Sequence, residues 1–178
     1  MVEALAQAHI GATFNFYRAG PGAAIRRERL ASYLEARADA PLLLVAEAPG
    51  YRGARISGIP LTSERQLSGN GPSEATATIV HRVLAELGLA ESVLLWNVAP
   101  THPHLPGNPG SNRRPTRSEV EASRPFLEEL ASGRSVLAVG MVAESALGTR
   151  GIRHPSHGGA SAFRSGLMEY AGELGLGR

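Results

Sequence analysis

Leu42-Leu-Leu-Val-Ala-Glu-Ala-Pro-Gly50 is an unbroken apolar run that ends in a carboxylate followed by a Pro-Gly turn. Five consecutive apolar residues after a proline are typical of a strand that is buried on both faces, as in a parallel sheet. Residues 92–98 and 135–139 have the same character, and Ile152-Arg153 is a candidate for a short fourth strand. The chain is therefore predicted to contain a parallel sheet of about four strands.

Segments with helical spacing alternate with these strands. They cover residues 22–38, 73–87, 117–131, 142–147 and 162–174. Ser73 is a candidate N-cap for one of them, and Thr116 with Glu119 forms a capping-box pattern for the next.

Alternation of this kind predicts an α/β fold with right-handed crossovers. We expect a three-layer sandwich whose central, mostly parallel four-stranded sheet is flanked by helices on both faces. The length suits a single domain over residues 1–178. Within it, residues 1–40 are expected to be a helical decoration, and residues 41–178 the α/β core. The Pro- and Gly-rich segments 50–72 and 99–115 are expected to be long loops without regular structure.

Composition excludes several classes of chemistry. The chain has no cysteine, which excludes disulfides, cysteine nucleophiles, thiolate zinc sites and cysteine-ligated iron–sulfur clusters. The two histidines of His102-Pro-His104 are poor evidence for a metal without a third ligand. The sequence contains no dinucleotide-binding motif and no P-loop motif. It also lacks the Gly-x-Ser-x-Gly elbow of serine hydrolases. We therefore expect no metal and no cofactor.

No apolar run approaches the length of a membrane span, and the first ten residues lack the basic start of a secretory signal. These features predict a cytoplasmic protein that does not act at a membrane.

Charge is informative in its distribution rather than in its total. Net charge is only +2, but all 18 basic residues are arginine, a side chain that binds phosphate in a bidentate way. Composition bias explains the excess of arginine by itself. The local clusters at residues 26–29, 51–55 and 112–117 are the better candidates for contact with an anionic partner.

Three chemically distinct side chains follow the predicted strands. Glu47 follows the first strand, Asn97 ends the second, and His154 follows the short fourth. In open α/β sheets, ligands bind where loops leave the carboxyl ends of the strands. A carboxylate, an amide and an imidazole are therefore predicted to converge on one polar heterocycle.

Together these segments resemble the uracil-DNA glycosylase superfamily, most closely the bacterial type called family 4. Glu47-Ala-Pro-Gly50 followed by Gly58-Ile-Pro-Leu-Thr62 is similar to that family's first motif, in which a Gly-Glu-Ala-Pro-Gly loop precedes Gly-x-Pro-Phe. Asn97-Val98 with Asn112-Arg-Arg-Pro-Thr116 resembles the second region, and His154-Pro-Ser156 resembles the third. The resemblance extends from residue 42 to about residue 166.

The resemblance implies a monomeric DNA glycosylase that flips uracil out of DNA and starts base-excision repair. It implies that Asn97 reads the base, that His154 stabilises the departing uracil anion, and that Glu47 activates water or organises the pocket. Further residues expected to contact the base are Ala48, Pro49, Gly50, Tyr51 and Leu61. Residues expected to contact DNA are Arg52, Arg55, Arg113, Arg114, Ser156, His157, Gly158 and Arg164.

Several positions depart from the family pattern. Leu61 stands where the family stacks a phenylalanine on the base, and Ala48 stands where other branches carry a catalytic aspartate. The absence of cysteine makes the chain a cluster-free relative of family 4. His157-Gly-Gly159 replaces an apolar wedge, and Phe163 is either that wedge or a core residue.

Two alternatives therefore stay open. One is a weak or inactive member that binds uracil-containing DNA. The other is a glycosylase for another lesion, such as hypoxanthine, xanthine or an oxidised pyrimidine.

Overall fold

A computed structural model describes residues 1–177. The strands are β1 (Thr13–Phe14), β2 (Leu42–Ala46), β3 (Val93–Asn97), β4 (His102–Pro103), β5 (Ser135–Val139) and β6 (Gly151–Ile152). The helices are α1 (Val2–Gln7), α2 (Ala23–Ala36), α3 (Ala54–Ser57), α4 (Glu64–Ser68), α5 (Ala75–Glu86), α6 (Arg117–Ala131), α7 (Met141–Leu147) and α8 (Ala160–Glu173).

Four of these strands form one parallel sheet in the order β3-β2-β5-β6. The register pairs Ala46 with Asn97 at the ends of β2 and β3, and Val139 with Ile152 at the ends of β5 and β6. All four carboxyl ends therefore meet at one edge of the sheet. This arrangement confirms the predicted α/β class and the four-stranded parallel sheet.

The two faces of the sheet bury separate apolar layers. Leu43, Val45 and Trp96 face a cluster that includes side chains from α1, α2, α6 and α7. Leu44 and Leu95 face a second cluster built mainly on α5 and α8. Both strands alternate between these clusters, which is why β2 and the first four residues of β3 are all apolar.

Local sequence signals placed most of the helices to within a few residues. Helix α6 begins after Thr116, and both hydrogen bonds of its capping box with Glu119 are formed. Helix α5 starts later than predicted, because Glu74 rather than Ser73 is the N-cap residue. The Glu74 amide donates to the Ser63 hydroxyl at 2.8 Å, so a serine eleven residues earlier satisfies this helix end.

The two long loops contain regular structure that the sequence analysis did not predict. Helices α3 and α4 lie within residues 50–72, and β4 lies within residues 99–115. Strand β4 pairs antiparallel with β1, with Phe14 opposite His102. The expectation of an irregular loop at 99–115 was wrong because its partner strand lies almost ninety residues earlier. The N-terminal segment, expected to be helical, supplies that strand.

Within residues 1–177, no helix combines the length and apolar character needed to cross a bilayer.

Candidate active site

A cavity of about 430 Å³ opens at the carboxyl edge of the sheet. It contains all three side chains that were expected to converge, namely Glu47, Asn97 and His154. Three loops and the start of α5 complete its wall. The remaining lining residues are Ala46, Ala48, Pro49, Gly50, Ala54, Leu61, Glu74, Thr76, Asn112, Arg113 and Arg114.

Asn97 ends β3 with its side chain in this cavity. The residue is only 1% exposed, yet neither its Nδ2 nor its Oδ1 finds a hydrogen-bond partner among the described residues. The backbone beside it is anchored to β2, because the next amide, that of Val98, donates to Ala46 O at 2.8 Å. Leaving a buried amide unpaired costs free energy that a bound polar ligand can recover. Asn97 is therefore a preformed donor–acceptor pair.

His154 is held in one tautomer by its own loop. The Ser156 backbone N–H donates to His154 Nδ1 at 3.2 Å, and the Ser156 hydroxyl lies 2.7 Å from the same atom. Since a backbone N–H can only donate, Nδ1 is an acceptor and the ring proton is on Nε2. The hydroxyl then donates to Nδ1 as well. Nε2–H, on the far side of the ring from Ser156, is the donor available to the cavity.

Burial keeps this imidazole neutral. Desolvation is the main reason that the pKa of His154 lies below its usual range, and the neighbouring charges of Arg153 and His157 lower it further. A cationic ring would also place an Nδ1–H against the Ser156 amide proton. The site therefore contains an uncharged hydrogen-bond donor at neutral pH.

Glu47 is a half-buried carboxylate at the same edge. Desolvation raises the pKa of Glu47, and the positive charge of Arg114 partly opposes this shift. A carboxylate with a raised pKa is a stronger proton acceptor than an exposed one. Glu47 and Arg114 also line an adjoining cavity together with His154, so both charged groups lie near the imidazole without forming an ion pair.

Leu61 forms one wall in a strained backbone conformation. Its φ is +51°, a region that costs a non-glycine residue about 1–2 kcal/mol. The turn around it is held by the buried Ser57 hydroxyl, which donates to Thr62 O at 2.6 Å and accepts from the Ile59 amide. Leucine therefore offers the cavity a fixed apolar surface at the position where the resemblance expected an aromatic ring.

Two hydrogen bonds attach the loop after β2 to the Pro-rich loop. His102 Nδ1 lies 2.8 Å from Pro49 O, and because a carbonyl only accepts, the proton is on Nδ1. The Tyr51 amide donates to Asn112 Oδ1 at 3.0 Å. Among residues 1–177, no group of three or more His, Cys, Asp and Glu residues is arranged to bind a metal. The observed contact gives His102 a part in positioning the loop that carries Glu47.

Glu74 is a second acidic side chain in the cavity that the sequence analysis missed. Its carboxyl lies so close to Gly50 and Gly53 that a Cβ on either glycine would be within 2 Å of one of its oxygens. Desolvation raises the pKa of Glu74. No local signal distinguished it, because an acidic residue at the start of a helix is ordinary. The two glycines leave the space that this carboxyl occupies.

We expect Gly50→Ala to lower the free energy of unfolding by about 1 kcal/mol, the low end of the cost of overpacking, because only the end of the flexible Glu74 side chain has to move. The added methyl would lie 1.7 Å from Glu74 Oε1, so the carboxyl must leave its place. The double variant Gly50→Ala/Glu74→Ala should recover most of this loss, since the clash is gone. Urea denaturation measures both effects. Gly172→Ala, at a helical glycine with open space around it, is the control and should not destabilise the fold. The clash would be contradicted if the loss of stability in the double variant equalled the sum of the losses in Gly50→Ala and Glu74→Ala measured singly.

Arg113, which was expected to contact DNA, is held by a network of contacts inside the protein. Its guanidinium forms a bidentate pair with Glu119, with Nη–O distances of 2.6 and 2.7 Å. The remaining N–H groups donate to His104 O, Arg114 O and Ala12 O. All five donors are thus used inside the protein. Arg113 holds the Pro-rich loop against α6, and its contact with DNA stays a prediction.

Apart from the residues already placed in the main cavity, most of the predicted contact residues lie in two places. Arg114 is exposed at the cavity mouth, beside Ser156 and His157, with which it lines the adjoining cavity. Tyr51 lies outside the main cavity, in a separate depression with Arg52 and Arg55, and its ring faces the Arg52 guanidinium.

Arg164 and Phe163, a predicted DNA contact and a candidate wedge, lie on α8. Arg164 is paired with Glu86 at 3.3 Å. Phe163 is fully buried in the α5–α8 cluster, which makes it a core residue. Gly158, also expected to contact DNA, is exposed with a φ of +76°.

Comparisons with known proteins identify the family and a similar fold. Residues 34–170 match the family model described as the uracil DNA glycosylase superfamily. The crystal structure of wild-type SMUG2 from Pedobacter heparinus is similar to this chain with a TM-score of 0.70 and 14% sequence identity. The match covers 98% of this chain and 96% of that protein. No curated protein matches the chain.

Proposed function

This chain belongs to the uracil DNA glycosylase superfamily, and we propose that it flips uracil, or a closely related deaminated base, out of DNA and hydrolyses its N-glycosidic bond. The observation that carries the proposal is the unpaired amide of Asn97 in a cavity shared with His154 and Glu47. A base inside a duplex cannot be attacked, so the nucleotide must enter such a cavity. Cytoplasmic location and a monomeric state remain predictions.

Asn97 selects the base through its donor and acceptor. Its Nδ2–H donates to uracil O4 while its Oδ1 accepts from N3–H. Cytosine has the opposite pattern, with an amino group at C4 and an unprotonated N3. With cytosine, Nδ2–H of Asn97 would face the amino group, which is another donor, and Oδ1 would face N3, which is another acceptor. A site that uses buried polar pairs in this way can reject a mismatched base strongly.

His154 stabilises the leaving group. As the C1′–N1 bond breaks, its electron pair moves into the uracil ring, and negative charge develops on O2. The Nε2–H of the neutral imidazole donates to this oxygen, and the bond strengthens as the charge grows. No proton has to move to His154 first. The low pKa of the ring and its fixed tautomer support this use of a neutral donor.

Glu47 acts on the sugar side. Loss of uracil leaves positive charge at C1′, which a carboxylate stabilises and to which water adds through its oxygen. Glu47 accepts the proton that this water loses, and the uracil anion is later protonated by solvent. The products are free uracil and an abasic site. The raised pKa of Glu47 suits it to accept that proton.

The proposal is tested with labelled oligonucleotides that contain uracil, hypoxanthine, xanthine or an oxidised pyrimidine. Each is incubated with the protein and then treated with alkali, which breaks the strand at abasic sites. We expect strand breaks at uracil, and their loss in His154→Ala and Asn97→Ala. Arg65→Ala, on exposed α4 and outside the cavity, serves as the matched control and should cleave like the unaltered protein.

The other outcomes separate the alternatives. Breaks at another lesion but not at uracil would keep the enzyme and change its substrate. Retention of uracil-containing DNA without any breaks would instead identify a binding protein that has lost turnover. Breaks that persist in both cavity variants would refute the assignment of the site.

Acidification should reduce excision. A protonated His154 carries a proton on Nδ1 and cannot accept from Ser156, so the ring loses the hydrogen bonds that orient its Nε2–H. The hydroxyl of Ser156 donates to the neutral ring and so helps to hold the pKa of His154 low. Ser156→Ala should therefore raise the pKa of His154 and move the acid limb of the kcat profile to higher pH. A loss of one hydrogen bond, about 1 kcal/mol, should also lower kcat about fivefold.

Single-turnover excision rates between pH 4.5 and 8 would check this. Glu47→Gln is the companion variant, because protonation of Glu47 also contributes to the acid limb. An acid limb that persists in Glu47→Gln but does not move in Ser156→Ala would contradict the role given to the serine.

A further inference from the structure

The loop that follows His154 has no side chain suited to enter a DNA base stack. His157 is exposed, but its Nδ1 lies 2.9 Å from the Ser156 hydroxyl. Gly158 has no side chain, and a Cβ on Gly159 would lie 2.1 Å from His154 O. Proteins that kink DNA through the minor groove insert apolar side chains between base steps. If the chain acts on duplex DNA, as proposed above, another residue must supply that bulk.

Met141 is the most exposed of the large apolar side chains in the described part of the chain, at 76%. It begins α7 directly after Gly140, at the carboxyl end of β5. Gly140 lies against the catalytic histidine, since a Cβ on Gly140 would be 3.1 Å from His154 Cβ. Met141 is therefore an exposed apolar side chain that directly follows the glycine in contact with His154.

Two cavities meet at Met141. The smaller, about 270 Å³, lies beside the active site and is also lined by Glu47, Arg153 and His154. The larger, about 550 Å³, lies between α6 and α7, and we call it the α6–α7 groove. Met141 thus separates the reacting centre from an open groove on the protein surface.

The α6–α7 groove has the charge expected of a phosphate track. Arg114, Arg117 and Arg124 line it, together with Glu121. Arg124 pairs with Glu121 at 2.9 Å, whereas Arg114 and Arg117 form no ion pair with any residue in 1–177. Two arginines beside an exposed methionine suit a strand of DNA, which presents phosphates and base faces together.

We propose that Met141 is the wedge that enters the base stack beside the flipped nucleotide, and that the flanking duplex backbone lies along Arg114 and Arg117 of the α6–α7 groove. Methionine is unbranched and polarisable, so it can fill an irregular gap between bases. The wedge function thereby moves from the loop after His154 to the turn between β5 and α7. This inference rests on the proposed action on DNA but not on turnover.

The test uses a duplex in which 2-aminopurine, whose fluorescence rises when it is unstacked, lies next to the uracil. Met141→Ala is compared with Met141→Leu and with Met168→Ala. Met168 is 50% exposed on α8 and lines neither cavity, which makes it the matched control. Excision is measured in parallel on the duplex and on the same uracil strand alone.

We expect fluorescence to rise with the unaltered protein, Met141→Leu and Met168→Ala, but not with Met141→Ala. Excision by Met141→Ala should fall about tenfold or more on the duplex, because unstacking costs a few kcal/mol per step, and change less than about twofold on the single strand. A rise with Met141→Ala equal to that of Met168→Ala would overturn the wedge, and so would the absence of any rise with the unaltered protein. A normal fluorescence pattern without excision would instead refute the proposed chemistry and keep the wedge.

Discussion

Replacing Asn97 with leucine is expected to stabilise the fold and to reduce excision by a factor of about 100 to 1,000. The amide is buried and both of its polar atoms lack partners, so the folded protein bears a desolvation cost there. Leucine has a similar size and no polar atoms, and removing such a cost is worth about 1 kcal/mol. Loss of the hydrogen bonds to the base in the transition state costs about 3–4 kcal/mol, which gives the expected fall in rate.

Asn15 provides the opposite case in the same molecule. It is also buried, but its Nδ2 donates to Leu5 O at 2.8 Å and its Oδ1 accepts from the Tyr17 amide. Asn15→Leu should therefore destabilise the fold by about 2–3 kcal/mol, because it leaves those backbone groups unpaired.

Urea denaturation and single-turnover excision on each variant measure the two effects. If Asn97→Leu destabilised the protein as much as Asn15→Leu, the amide of Asn97 would have a structural partner, and its assignment as the base reader would fail.

Replacing Glu119 with glutamine is expected to lower the free energy of unfolding by about 3 kcal/mol at neutral pH. The side chain is 2% exposed and accepts hydrogen bonds from Arg113, the Thr116 amide and the Ala12 amide. The hydrogen bonds from Arg113 are the main reason that the pKa of Glu119 falls from 4.5 to about 2. A shift of that size corresponds to about 3 kcal/mol. Breaking a buried ion pair has a similar cost, since Arg113 is left without its partner.

The pH dependence of stability provides an independent check. The pKa of Glu119 is lower in the folded chain than in the unfolded chain, so its contribution is complete above about pH 4.5. It is lost as the pH falls through the folded value of about 2. The unaltered protein should therefore lose more stability between these values than Glu119→Gln does. Thermal melts across this range would test it.

Glu121 is the control on the same helix. It is 65% exposed in its pair with Arg124, and Glu121→Gln should change stability little. Equal effects of the two substitutions would show that the Arg113–Glu119 pair is no more important than a surface pair.

Local signals in the sequence were sufficient for the framework. The apolar runs identified β2, β3 and β5, because residues buried on both faces of a sheet leave no polar positions in the pattern. The Thr116–Glu119 capping box placed the start of α6 at the correct residue, because both partners lie within one helical turn. The short strand β6 was displaced by only one residue.

Interactions between distant segments could not be predicted in this way. The pairing of β1 with β4, the contact of His102 with Pro49, and the insertion of Glu74 between two glycines each join residues from separate loops. Arg113 and Arg114 are adjacent residues of the same type. Arg113 nevertheless forms an internal ion pair with Glu119, whereas Arg114 is exposed.

The order of residues along the chain was enough to specify the parallel sheet and to bring an acid, an amide and an imidazole to its carboxyl edge. This follows because strand burial is set by neighbouring residues, and parallel direction by the helical crossovers that alternate with the strands. The three-dimensional packing alone determined which arginine stays free, which nitrogen of His154 carries the proton, and that Asn97 has no partner. Each of these depends on the positions of atoms from chain segments that only the sheet register and the loop contacts bring together.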